Sequence, residues 1–303
     1  MDRVLEYEIP SEYDGANITT VLKQHFKIST NLIKDLKKYK EGIQVNGEHK
    51  RVVDLVAKGD ILKITIRDTV SENIVPTDIP LDIVYEDEDV LVINKPSNMP
   101  THPSMGNYEN SLANGVMYYY KSKGEERVFR AVNRLDKDTS GLMAVAKNSY
   151  IHARLGEEIQ KKELKRKYMC IVCGDVERDG TVDAPIRRAD GSVINRIVAP
   201  DGQRAVTHYR VVKRYGEYTL LEMELETGRT HQIRVHMAYI GHPLVGDWLY
   251  GMEDHNIAKR QMLHSCYLCF THPITGQIME FKDEMAEDMR AFIEKLRKSL
   301  KKQ

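Results

Sequence analysis

The sequence predicts an α+β protein in two parts. Three observations carry that reading. Two short helical stripes followed by strand-like words occupy about Ile18 to Ile66. Many short apolar runs, several alternating in period two, fill the chain from Ile83 to about Phe281. Helical patches interrupt those runs, and an amphipathic helix follows them. At about 150 residues per domain, 303 residues suffice for two domains.

In ITTVLKQHF the apolar Ile18, Val21, Leu22 and Phe26 have helical spacing. Ser29 or Thr30 is placed to cap a second helix, NLIKDLKKYK, with its stripe of Leu32, Ile33 and Leu36. IQVNGE, RVV and ILKITI then read as strands, with Asn46-Gly47 and Gly59-Asp60 as turn signals. This ααβ module is assigned residues 1–70. A linker with Pro76 and Pro80 is assigned 71–80, and the larger part 81–303.

The larger part opens with IVYED and VLVINKP, two strands around an acidic turn, Glu86 to Asp89, expected to be solvated. LMAVAKN, KYMCIVCGDV, AVTHYRVVKRY, TLLEMELETG and CYLCFTHP read as strands. IHARLGEEIQKKEL and HQIRVHMAYIG read as helices, as does the tail. There Met285, Met289, Phe292, Ile293, Leu296 and Leu300 share one face, with acids early and bases late.

Composition excludes several classes of function. Hydrophobic residues at 41% are too many for a disordered chain. No run approaches eighteen consecutive apolar residues, so no membrane span is expected, and the acidic start does not read as a signal peptide. Four cysteines point to reduced thiols and a cytoplasmic setting. Forty-five basic residues balance forty-five acidic ones, but the balance is uneven. Lys23 to Arg67 holds 11 Lys or Arg against 5 Asp or Glu, with Lys34, Lys37, Lys38 and Lys40 crowded about the second helix. Such a face is the footprint of a phosphate-backbone site or a solvated helix face.

The stretch AVNRLDKDTSGLMAVAKN, residues 131–148, is the richest in chemistry. Arg134, Asp136, Lys137, Asp138, Thr139, Ser140 and Gly141 lie between two apolar runs. This reads as a polar loop between strands, either a functional loop or a salt-bridged turn. A carboxylate beside arginine and lysine is a candidate nucleophile or charge stabiliser. No Walker loop, no GxGxxG after a strand and no HExxH is present, so neither cofactor nor metal is signalled. Paired-carboxylate hydrolysis by Asp136 and Asp138 is the rival chemistry, and no second acidic motif supports it.

The helix pair, the basic second helix and GIQVNGE resemble the S4 RNA-binding domain over most of residues 16–66. RLDKDTSGL resembles the signature of the RluA family of pseudouridine synthases. VYEDEDVLVINKPSNMPTHPS, KRKYMCIV, ETGRTHQIRVHMAYIGHPLVGDWLYG and RQMLHSCYLCFTHPITG resemble its other motifs in order, covering about residues 81–281. The resemblance implies a large, mainly antiparallel sheet with flanking helices, a cleft across its middle, and Asp136 on a loop at the centre. It implies a cofactor-free isomerase that turns uridine into pseudouridine in structured RNA. Large-subunit ribosomal RNA is the first expectation and transfer RNA the second, with a non-catalytic RNA-binding or assembly factor as the alternative. A monomer is expected.

By the same resemblance Asp136 is the essential aspartate and Tyr168 lies against the flipped uracil as the base for its C5 proton. Arg229 is expected to pair with Asp136, and Arg134 to fill the space the flipped nucleotide leaves. Lys34, Lys37 and Lys38 are assigned to RNA phosphates. Many family members have histidine where this chain has Asn133, which keeps a donor and an acceptor but takes no proton-transfer role. Cys170/Cys173 and Cys266/Cys269 form two CxxC pairs, too far apart for a zinc ribbon and best read as free thiols. His231 and His236 are read as hydrogen-bonded rather than metal-binding, and Trp248 to Gly251 as core packing near the cleft rim.

Overall fold

A computed structural model describes residues 2–68, 73–251 and 257–301. Residues 69–72, where the expected linker begins, lie outside the described residues. The first part contains β1 (Arg3–Glu8), α1 (Ile18–Gln24), α2 (Thr30–Leu36), β2 (Ile43–Val45), β3 (Glu48–His49) and β4 (Ile61–Ile66). Its sheet has the order β1-β4-β2-β3. Asn17 caps α1, and Ser29 caps α2 by accepting from the Leu32 N–H. Asn46 and Gly47 both take positive φ, 52° and 82°, in the two-residue turn joining β2 to β3. The strand expected at RVV is instead a turn. Asp54 accepts from the Arg51 N–H at 2.8 Å and its own N–H returns to the Arg51 carbonyl. Strand β1 was not expected, although Leu5, Tyr7 and Ile9 alternate with Glu6 and Glu8.

The second part runs β5 (Asp82–Glu86), β6 (Val90–Lys95), α3 (Leu112–Ser122), β7 (Ser140–Ala146), α4 (Ser149–Lys161) and β8 (Lys165–Cys173). Strands β9 (Gly180–Asp183), β10 (Ile186–Arg188), β11 (Arg196–Val198), β12 (Val206–Arg214) and β13 (Tyr218–Leu225) follow. Then come α5 (Gln232–Tyr239), β14 (Leu263–Thr271), β15 (Ile278–Lys282) and α6 (Glu287–Leu300). Nine of these strands form one sheet of order β5-β6-β7-β14-β8-β13-β12-β9, with β15 beside β14. All its described pairings are antiparallel except β7 with β14, where His264 lies opposite Ser140 and Ser265 opposite Gly141. No helix among the described residues is long and apolar enough to cross a membrane.

The central strands are covered on both faces, which is why β7 is buried along its whole length. Leu91, Ile93, Met143 and Val145 face a core with α3 and α5, while alternate residues Val90, Val92, Leu142 and Ala144 face the other way. That second core is continuous with the first part of the chain: Leu5, Ile18, Leu22, Phe26 and Ile64 belong to one cluster with Tyr150, Ile151 and Leu155 of α4. Polar ties cross the same boundary. Arg3 Nε donates to Asp89 at 2.9 Å, Arg130 Nη1 to Asp68 at 2.7 Å, and the Tyr150 hydroxyl to the Phe26 carbonyl at 2.9 Å.

The acidic turn is therefore not simply solvated. Glu86 is held by Lys147, Lys123 and Tyr119, Asp87 by Tyr85 and His272, and Asp89 is buried against Arg3. Cys170 and Cys173 point to opposite faces of β8, toward different cores, and all four thiols are free. Burial pushes the Cys266 thiol up to about 11.

Candidate active site

Four segments converge on one cleft of about 740 Å³. They are 101–104 after β6, 131–136 with Thr139 before β7, Arg166 and Tyr168 on β8, and 225–233 from the end of β13 into α5, and Ile159, Gln160, Lys162, Arg204 and Leu263 complete the wall. Asp136 lies in the second segment, whose path is fixed by neighbouring groups. Asn133 Oδ1 accepts from the Ala144 N–H at 2.9 Å, tying the loop to β7. The Thr101 hydroxyl donates to the Leu135 carbonyl at 2.8 Å, and Arg260 Nη1 to the Asp138 carbonyl at 3.0 Å. From beneath, the buried Lys95 donates to the carbonyls of Pro96 (2.8 Å), Met99 (2.7 Å) and Lys137 (3.2 Å). Burial pushes this ammonium down to about 7, while Asp138 and Asp136 pull it up. Three carbonyl acceptors use all three N–H donors, so the charged form suits this geometry.

At the exit of the loop, Gly141 has φ +111° and packs on β14 so closely that a Cβ would lie 2.3 Å from the Ser265 carbonyl oxygen. Only glycine allows that approach.

The partner of Asp136 is Arg234. Its Nη1 donates to Asp136 Oδ2 at 3.2 Å, and its Nε and Nη2 grip Asp247 at 2.7 and 2.9 Å. Asp247 is fully buried and also accepts from the backbone of Leu249 and Tyr250. The guanidinium lies over the Tyr250 ring, 5.2 Å from its centroid. Asp136 itself keeps 26% of its side chain exposed, which leaves its carboxylate open to the cleft.

Arg229, expected in this pairing, stands elsewhere. It is exposed on the rim and donates from Nε to the Arg204 carbonyl at 3.0 Å. The reason is local. Gln232 Oε1 accepts from the Arg229 N–H and the Thr227 hydroxyl, winding 227–231 into a turn before α5 begins. Arg229 is thus in the turn, whereas Arg234 is on the rigid helix facing the loop. The signal was available: TGRTHQIRVH holds two arginines, and only the second falls inside the helical run.

Tyr168 lies buried beside the cleft on β8, between Met223 of β13 and Ser265 of β14 in register. Burial pushes its phenol above the ordinary value, and Asp136 adds to that shift. Arg134 is exposed in the cleft wall, next to Leu135 and Asp136. His231 closes the other side. It sits at φ +58°, its Nδ1 is 2.8 Å from the Tyr250 hydroxyl, and its Nε2 is 3.9 Å from Asp136 Oδ1. The Tyr250 hydroxyl accepts from the Arg196 N–H, so its proton is free to go to His231. His236 is instead buried between Thr207 and the Ala184 carbonyl. Trp248, expected in the core, is 48% exposed, and Tyr250 belongs to the site rather than to packing alone.

The lysines of the first part lie far from this cleft in sequence. Lys34 is within α2, Lys37 is its C-cap, and Lys38 follows it, paired with Asp35 at 2.6 Å. All three are exposed.

Residues 89–239 match the model of the RNA pseudouridylate synthase family. A Bacillus subtilis (strain 168) protein named "Uncharacterized RNA pseudouridine synthase YjbO" is 44% identical over 268 residues, 88% of this chain and 94% of that one. "Ribosomal large subunit pseudouridine synthase D" of Pasteurella multocida (strain Pm70) is 40% identical over 269 residues, 84% of this chain and 83% of that one. Among solved structures, "Human RNA Pseudouridylate Synthase Domain Containing 4" superposes with a TM-score of 0.57 at 23% identity, over 71% of this chain and 93% of that one. The last likeness concerns the fold.

Proposed function

Since the chain belongs to the RNA pseudouridylate synthase family, we propose that it converts specific uridines of large-subunit ribosomal RNA to pseudouridine, without a cofactor. The observation that carries the site assignment is Asp136, set in a braced loop at the floor of the cleft and aimed by Arg234. The isomerisation exchanges a C–N glycosidic bond for a C–C bond, which needs no redox equivalent. The uridine must leave the stack to be turned over. In this reading Asp136 attacks or deprotonates the ribose as the uracil detaches. Tyr168 lies against the turned base and takes the proton from C5, and Arg134 fills the vacated stack.

The preference for ribosomal RNA rests on relatives of 40–44% identity that are named for the large subunit. We further read the first part as an S4-like RNA-binding module, on its helix pair and exposed lysines. The chain acts as a cytoplasmic monomer in this reading.

The test is tritium release from RNA labelled at C5 of uridine, with pseudouridine mapping in ribosomal and transfer RNA from a deletion strain. Loss of a pseudouridine from large-subunit RNA supports the proposal, and loss confined to transfer RNA overturns the substrate. Asp136→Asn keeps the shape and should reduce release to background with RNA affinity little changed. Substantial release by that variant would overturn the mechanism.

A further inference from the structure

We propose that Arg166 is a phosphate-binding residue, holding one of the two phosphates that flank the flipped uridine. Strand β8 alternates faces, so Arg166 and Tyr168 lie on the same face, about 7 Å apart along the strand. Both line the cleft with Asp136. Arg166 is only 7% exposed, yet its Nε has no hydrogen-bond partner, and no described carboxylate pairs with the side chain. Of the other cations about the cleft, Arg134 and Arg229 are exposed to solvent, and the rest are committed. Arg234 holds Asp136 and Asp247, while Lys162 and Arg204 share Glu226.

A guanidinium buried without a counterion is unfavourable, so its partner is expected to arrive with the ligand. The guanidinium packs against the Gly228 backbone: a Cβ there would stand 3.3 Å from Arg166 Nη1. The planar fork suits two non-bridging phosphate oxygens. RNA brings one such group per nucleotide, and a uridine turned against Tyr168 brings its flanking phosphates to this wall. The inference rests on the reading of the cleft as the uridine site and adds the group that anchors the nucleotide there.

Full-length Arg166→Met and Arg166→Lys are compared with wild type on ribosomal RNA transcripts and on a hairpin containing the mapped uridine. The hairpin carries a neutral methylphosphonate at either flanking phosphate. Arg166→Met should raise KM about ten- to a hundredfold, the range of a charged hydrogen bond. In this variant the loss should fall more on KM than on kcat, as for loss of uniform binding. Its log–log salt slope should fall by about 0.7.

One methylphosphonate should weaken wild-type binding by the same factor and leave Arg166→Met unaffected, a coupling that no structural role produces. Additive losses, or a folded variant with wild-type KM and salt slope, would overturn the assignment. If Arg166→Met does not fold, the comparison uses Arg166→Lys. Neutralising the phosphate must then cost wild type more than the Lys variant, and equal costs overturn the proposal. Wild-type enzyme that releases no tritium would instead count against the uridine-site reading itself.

Discussion

At the scale of single residues, the buried carboxylate Asp247 explains why Arg234 is the arginine on which the site depends. Arg234 bridges it to Asp136, so truncating Arg234 strands a charge with no exposure to water. Arg234→Ala should cost roughly 3–5 kcal/mol of stability, besides its effect on turnover. Arg229→Ala removes an exposed rim cation and should melt as wild type does. Urea titrations of both variants decide the matter, and equal losses would show that the buried bridge is not what matters. Tyr168→Phe should bind RNA and cleave the glycosidic bond but fail to release pseudouridine. Because burial holds the Tyr168 phenol above the neutral range, its small phenolate fraction is still rising with pH there. The wild-type step that uses it should therefore accelerate through the neutral range, and a rapid-quench series at several pH values reads this. The sequence displayed Asp136, Tyr168 and Arg134 through local motifs. The choice between Arg229 and Arg234 turns on where α5 starts: the helical run HQIRVHMAYIG already holds only Arg234, and the Gln232 bonds to Thr227 and to Arg229 keep Arg229 in the turn before it.

At the scale of elements, the loop that carries Asp136 owes its position to the parallel contact between β7 and β14. The sequence showed both strands through the apolar runs LMAVA and CYLCF. Their adjacency joins residues 124 apart in the chain, as in the bond between Ser140 and His264, and no local pattern encodes it. A Cβ at Gly141 meets backbone, not a movable side chain, and φ there is in the range that favours glycine. Gly141→Ala should thus destabilise the fold by more than the ~1 kcal/mol typical of a point substitution and displace Asp136. Circular-dichroism melting and single-turnover rates check this, and an unperturbed variant would mean the two strands can separate locally without harm. The same limit explains the misread segments. RVV has strand composition, but Asp54 closes it into a turn through two local hydrogen bonds. Strand β1 alternates correctly but is charged on its exposed side, and it becomes a strand because β4 pairs with it along six residues.

At the scale of the whole molecule, the two parts are welded rather than strung together. Sequence composition sets them apart, with an excess of six positive charges between Lys23 and Arg67, and the groups proposed to react all lie beyond Ile83. A division of labour does not, however, make the parts separable. Phe26, Leu22 and Ile64 share a core with Tyr150, Ile151 and Leu155, and Arg3 and Asp68 supply ion pairs across the join. Deleting residues 1–70 would bare that face of α4 and of the sheet. At about 25 cal/mol per Å² of apolar surface, a patch of this kind outweighs any single polar tie. The truncated protein should therefore melt lower or aggregate, and its lost activity would say nothing about RNA. Charge reversal of Lys34, Lys37 and Lys38 to Glu separates the two contributions. All three side chains are exposed, and the Lys38–Asp35 pair they include is of the surface kind that contributes little. The reversed protein should melt as wild type does and keep its turnover on saturating RNA. It should bind more weakly, with a salt slope flatter by about 0.7 to 0.9 for each RNA phosphate that a lysine no longer neutralises. An unchanged slope in the reversed protein would mean that the first part braces the catalytic sheet without touching RNA. A truncation that stays soluble and melts normally would mean that the shared core is dispensable, and the two parts would then be independent after all.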